Sequence, residues 1–111
     1  MSVMSLLTVT SRPGQGDELE ARLQRGLQVH AEDPECLAIY LRRSIERPDE
    51  FLIQTFWSSI AAHHAWRDAN RSRWHDAVGW EIVEQGPSGT LAYGHYLPAA
   101  TVKGDDPSLN G

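Results

Sequence analysis

The stretch from Phe51 to Trp80, FLIQTFWSSIAAHHAWRDANRSRWHDAVGW, constrains the fold more than any other part of the chain. Its first residues alternate Phe51, Ile53, Thr55 and Trp57 with Leu52, Gln54 and Phe56, so the strand they predict is apolar on both faces. Such a strand belongs inside a sheet with helices on one side and another layer on the other. Ser58 or Ser59 then supplies an N-cap for a helix running to about Ala69. Asn70 to Glu84 reads as a third helix, with Trp74, Ala77, Val78, Glu81 and Ile82 on its inner side, weakening near Gly79. All 4 tryptophans lie between Phe51 and Trp80, and so do His63, His64 and His75 of the 5 histidines. The walls of any pocket are expected from here.

The remaining elements fall around this stretch. Met4 to Ser11 reads as a first strand, with Leu6, Thr8 and Thr10 on one face and Leu7 and Val9 on the other. Arg12-Pro13-Gly14-Gln15-Gly16 is a turn. Asp17 to Ala31 predicts a helix whose buried stripe is Leu19, Leu23, Leu27 and His30, with Asp17, Glu18 and Glu20 at its positive end. Gly26 marks either close packing on a neighbour or room for a ligand, and packing is the favoured reading. Cys36 to Ser44 is a second strand, with Leu37, Ile39 and Leu41 on one face and Cys36, Ala38, Tyr40 and Arg42 on the other. The polar turn at 46–50 joins it to the third strand as an antiparallel hairpin. Thr90 to Leu97 predicts a fourth strand, and 98–111 a flexible tail, leaving 1–97 as one domain. The order β-α-β-β-α-(α)-β is the split βαβ, ferredoxin-like α+β pattern with a four-stranded antiparallel sheet. A homodimer is the simple cover for its open face.

Composition narrows the function classes. Against 10 Lys+Arg stand 15 Asp+Glu, a net charge of −5 that disfavours nucleic-acid binding. One cysteine, Cys36, precludes an internal disulfide and fits a cytoplasmic protein; no segment reads as a signal peptide or a membrane span. Cys36 itself reads as a small core residue.

The tryptophan ending strand three, the W-S-S-x-x-A run after it, the segment GDELEARLQ and the Pro34 step resemble the antibiotic biosynthesis monooxygenase superfamily from about Val3 to Leu97. The resemblance implies a dimeric α+β barrel. Two of its groups are similar to this chain. In the haem-degrading monooxygenases, a tryptophan on the helix after strand three precedes an iron-ligating histidine by nine residues, and Trp66 and His75 match that pair. The other group holds cofactor-independent oxygenases that turn anthrone-like polyketide phenols into quinones. Members of both carry an asparagine on strand one where this chain has Leu7 or Thr8.

A cofactor-independent oxygenase needs a base, a donor for the developing oxyanion and a dry aromatic slot. His75 is the leading base, and Trp57 or Trp66 could donate an indole N–H to a substrate oxygen. Thr8, Tyr40, Tyr93, Asn70 and His63 are substrate contacts, and Arg22 or Arg73 could hold an anion. Each has a structural alternative: His64 reads as solvent-facing, Trp74 and Trp80 as core or dimer packing, and His95 as part of the sheet or dimer contact. A zinc site from His63, His64 and His75 is disfavoured because vicinal histidines diverge and no fourth ligand is at hand. The expected function is a monooxygenase that binds a small aromatic substrate and dioxygen without a cofactor. The alternatives are a haem protein with His75 as axial ligand, and a non-oxidative cyclase-like or ligand-binding module.

Overall fold

The computed structural model describes residues 2–84 and 93–110. Along the chain come β1 (Val3–Thr10), α1 (Gly16–Ala31), β2 (Cys36–Arg43), β3 (Glu50–Trp57), α2 (Ile60–Val78) and β4 (Tyr93–Tyr96). Single turns of 3-10 helix lie at Trp80–Ile82 and Pro107–Asn110. The strands pair in the order β2-β3-β1-β4, every pair antiparallel, which is the ferredoxin-like arrangement expected. Residues 90–92 of the expected fourth strand lie outside the described residues.

Both helices cover one face of the sheet. That face carries Val3, Ser5, Leu7 and Val9 of β1 beside Phe51, Ile53, Thr55 and Trp57 of β3. The α1 stripe meets it as predicted: Leu19, Leu23, Leu27 and His30 are all buried. Each buried leucine contributes roughly 1.5–3 kcal/mol of transfer free energy. Gly26 lets α1 approach α2: a Cβ there would stand 2.8 Å from Val78 Cγ2 and 3.0 Å from the Trp74 ring. The packing reading of this glycine therefore holds.

Three expectations are corrected. The two helices expected after β3 are one helix of 19 residues, capped by the Ser59 hydroxyl, which accepts from the Ala62 N–H at 3.1 Å. Asn70 does not start a new helix. Its amide donates to the Trp66 carbonyl at 2.9 Å and its Oδ1 accepts from Arg73 at 3.0 Å, so both polar ends are used within α2. The true stop is Gly79, left-handed at φ 71°. Second, a β-bulge shifts the register between Cys36 and Ala38, so Cys36 pairs with Trp57 and packs on the helix side, against the alternation expected. Third, the stretch expected as a flexible tail crosses the other face of the sheet. Leu97, Pro98, Asp106 and Ser108 border a hollow there with Met4, Phe56 and Tyr96, and Ser108 is buried.

Candidate active site

A cavity of about 310 Å³ lies between the sheet and α2. On α2, His63, Trp66, Arg67, Arg71, Trp74 and His75 follow one another at steps that keep them along the face over the sheet. Ser5 and Leu7 of β1 and Ile53 and Thr55 of β3 form the floor, because the pleat sends those positions toward the helices. His30 of α1 closes the inner end, and Tyr93 and Trp80 complete the wall. The inner residues Ser5, His30, Ile53, Thr55, His63, Trp66 and Trp74 are buried, whereas Arg71, His75 and Tyr93 are exposed and mark the mouth.

Two buried histidines dominate the interior. His63 stacks on Trp57 with ring centres 4.7 Å apart, and its Nδ1 lies 2.8 Å from His95 Nε2. Register explains the pair: His95 sits opposite Ser5 across the β1–β4 ladder, so it points at α2. Burial, reinforced by the nearby His95, Arg67 and His64, pushes His63 down to about 4. His30 stacks on Trp66 at 3.9 Å and meets the edge of Trp74 at 4.7 Å. Its Nδ1 is buried with no hydrogen-bond partner among the described residues. Burial, then the neighbouring His63, lowers it to about 3. Burial thus favours the neutral form of both imidazoles near pH 7.

The cavity gathers some of the residues picked out by sequence and leaves others elsewhere. His63, Trp66, His75 and Tyr93 line it. Trp66, however, already donates its indole N–H to the Val29 carbonyl at 3.2 Å. Trp57 is fully buried outside the lining, and its N–H goes to the Thr55 hydroxyl at 2.8 Å. Neither indole N–H is left to donate to a substrate; Trp57 acts by holding the His63 ring. His75 is exposed at the mouth and stacks on Trp80 at 4.7 Å, whereas His63 is buried inside. Thr8 and Tyr40 stand on the sheet face away from the helices; Leu7 lines the cavity instead. Asn70 is spent within α2, and Arg73 pairs with Glu32 at 2.7 Å. Arg22 ties α1 to the end of α2 through Glu18, Glu81 and the Val78 and Gly79 carbonyls, far from any substrate role.

Sequence reasoning passed over His30, His95 and Arg67. The signal for His30 was present, since a histidine in register with three leucines is a buried histidine. His95 needed the β1–β4 register, whereas Arg67, one turn from His63 on the same expected helix, was legible as its neighbour.

The haem arrangement does not suit these residues. It asks Trp66 to press on a macrocycle, but His30 already covers that ring. It also asks His75 to reach the iron beside Trp66. Both line the cavity, but His75 stands at its exposed mouth with its ring stacked on Trp80 at 4.7 Å. Among the described residues, no three histidine, cysteine or acidic side chains converge to hold a metal ion, and no helix is long and apolar enough to cross a membrane.

The protein is thus a ferredoxin-like α+β domain with a half-buried aromatic cavity under its second helix, lined by the buried His30 and His63. The chain belongs to the antibiotic biosynthesis monooxygenase family, whose model matches residues 2–77. No curated protein matches it in sequence. Among solved structures it is similar to a proposed antibiotic biosynthesis monooxygenase from Bordetella bronchiseptica, with 20% identity and a TM-score of 0.75 over 89% of this chain and 98% of that one. It is also similar to SnoaB, a cofactor-independent oxygenase from Streptomyces nogalater, with 15% identity and a TM-score of 0.74 over 91% and 96% of the two chains. A proposed monooxygenase of the same family from Deinococcus radiodurans matches at 18% identity and a TM-score of 0.72, over 94% and 99%. At such identities these likenesses establish the fold.

Proposed function

We propose that this protein is a cofactor-independent monooxygenase that oxidises an electron-rich aromatic phenol or anthrone to a quinone in secondary metabolism, with His63 as the base. The observation that carries the reading is the buried, neutral His63, hydrogen-bonded to His95 and set in a tryptophan-walled cavity. The family match and the likeness to SnoaB, a cofactor-independent oxygenase, support it. In this scheme the free nitrogen of His63 takes the acidic proton of the substrate, while His95 accepts from the Nδ1–H and steadies the imidazolium. Arg67 beside the pair offsets the negative charge that develops on the substrate oxygen. The electron-rich anion reduces dioxygen and the two combine as a peroxide at the ring carbon. Loss of water then leaves a carbonyl. One oxygen atom stays on carbon, the other departs as water, and the substrate supplies both electrons.

The outer sheet face, with Tyr40, Tyr96 and Leu97 partly exposed, suits the homodimer that the family resemblance implies. Sedimentation of the purified protein at twice the monomer mass is the expected result.

The oxygenase reading is tested in an oxygen electrode with a panel of anthrones and polycyclic phenols. Uptake of one dioxygen per quinone formed, without added metal, flavin or haem, is expected. Tight binding of the panel with no oxygen uptake by any member would overturn it in favour of a cyclase-like or ligand-binding role.

A further inference from the structure

The charge of the chain and the charge of its cavity are opposite. Acidic residues outnumber basic ones by 15 to 10, yet the cavity lining holds Arg67, Arg71 and three histidines and not one aspartate or glutamate. Four arginines elsewhere are ion-paired: Arg22 with Glu18 and Glu81, Arg43 with Asp17 and Glu20, Arg47 with Glu50, and Arg73 with Glu32. Arg12 and Arg42 donate instead to the Glu81 carbonyl and to Gln54. Arg71 has no ion-pair partner among the described residues. Among the described residues the only carboxylate paired with Arg67 is the exposed Asp68, 3.5 Å from Nε; Nη1 donates to the Tyr93 hydroxyl at 3.5 Å, and the buried Nε has no hydrogen-bond partner among the described residues. Arg67 and Arg71 are four residues apart on α2 and hence side by side. Two guanidiniums with a single exposed carboxylate beside them, over a lining without acids, form a local positive field in an acidic protein.

We propose that the cavity takes an aromatic anion: fused rings lying among Trp66, Trp74 and Trp80, with a carboxylate or ionised phenolic oxygen held by Arg67 and Arg71. The inference deepens the oxygenase reading by naming the charge of its substrate. The neutral interior agrees with it, since His30 and His63 add hydrogen-bonding capacity without a second charge deep in the site. An anion bound at the mouth also lies where Arg67 can stabilise further negative charge as the substrate loses its proton.

The test compares two probes of nearly equal shape, anthracene-9-carboxylate and anthracene-9-methanol, titrated against the tryptophan fluorescence of the full chain. The carboxylate is expected to bind at least about tenfold tighter at low salt, with the gap closing as ionic strength rises and the Debye length shrinks. Arg71→Gln, at an exposed position that leaves folding intact, should reduce the preference several-fold. Arg67→Gln with Arg71→Gln should abolish the preference, read as the ratio of the two affinities, and lysine at both positions should restore most of it. A hydroxyanthracene titrated through its own ionisation separates the two anion sources: affinity that climbs as the phenol ionises assigns the phenolate, and flat affinity assigns the carboxylate. Equal binding of the charged and neutral probes, or a preference that survives the double variant, would overturn the inference. Oxygen uptake is measured separately. An anion preference without uptake would leave this inference standing and remove the oxygenase, and uptake from neutral anthrones without an anion preference would do the reverse.

Discussion

Acid should unfold this protein earlier than its carboxylates alone dictate, because His30 and His63 are buried in neutral form. Their folded values, about 3 and about 4, lie below the free imidazole value of 6.5. The unfolded chain therefore binds protons first as pH falls, so stability is present above 6.5 and is lost progressively below it. Each histidine costs roughly 1.4 kcal/mol per pH unit over this range. At pH 5 that comes to about 2 kcal/mol each and about 4 kcal/mol together, a large part of the 5–15 kcal/mol typical of a domain. The groups facing them do not offset this: His30 meets His63, and His63 meets His95, Arg67 and His64, none of which is an acid. Glu81, lowered mainly by its hydrogen bond to Arg22, titrates below 4.5 and leaves the window between pH 7 and 5 unaffected. The assay is urea denaturation at pH 7, 6 and 5 at fixed protein concentration, on the wild type and on His30→Gln. The wild type should lose about 4 kcal/mol across the interval. His30→Gln, less stable throughout, should lose about half as much. A flat wild-type profile, or an identical slope in the variant, would refute the reasoning, as would ring-proton titrations of His30 near 6.5.

Three further outcomes are expected. His63→Gln should lower turnover of an accepted anthrone by about 10²–10⁴-fold with the fold retained, whereas His75→Gln at the exposed mouth should change it only a few-fold; the oxygen electrode reads both. Gly26→Ala should destabilise: the new methyl at 2.8 Å from Val78 and 3.0 Å from Trp74 overpacks the helix contact at about 1–3 kcal/mol, outweighing the ~1 kcal/mol helix-propensity gain, and thermal unfolding reports the difference. Titration with haem should give no saturable Soret shift that His75→Ala removes, since Trp66 is covered by His30 and the His75 ring is stacked on Trp80.

Local chemistry carried most of the fold. Alternation in 51–57 gave a strand with two apolar faces, and β3 has the helices on one side and the returning 97–108 segment on the other. The leucine stripe of α1 and the serine cap of α2 were equally plain, because each is a property of neighbours one turn apart. What failed depended on contacts that spacing does not show. The bulge that turns Cys36 inward arises from its pairing with β3. Asn70 looked like a helix start because its side chain favours caps, but inside α2 it bonds back to the Trp66 carbonyl four residues earlier.

The same distinction governs the site. Trp66 and His75 stand at the spacing that suggested a haem pair, and both line the cavity, but Trp66 is stacked under His30 and His75 on Trp80. The proposed chemistry falls instead to residues spaced by four on α2, His63 with Arg67 and Arg67 with Arg71. The indole N–H groups are withdrawn from chemistry by partners 37 residues away in Val29 and two residues away in Thr55. His63 in turn gains its partner from a strand 32 residues downstream. Residue type and spacing placed the cavity under the right helix, and the assignment of donor and base within it rests on which of these polar atoms the fold leaves unsatisfied.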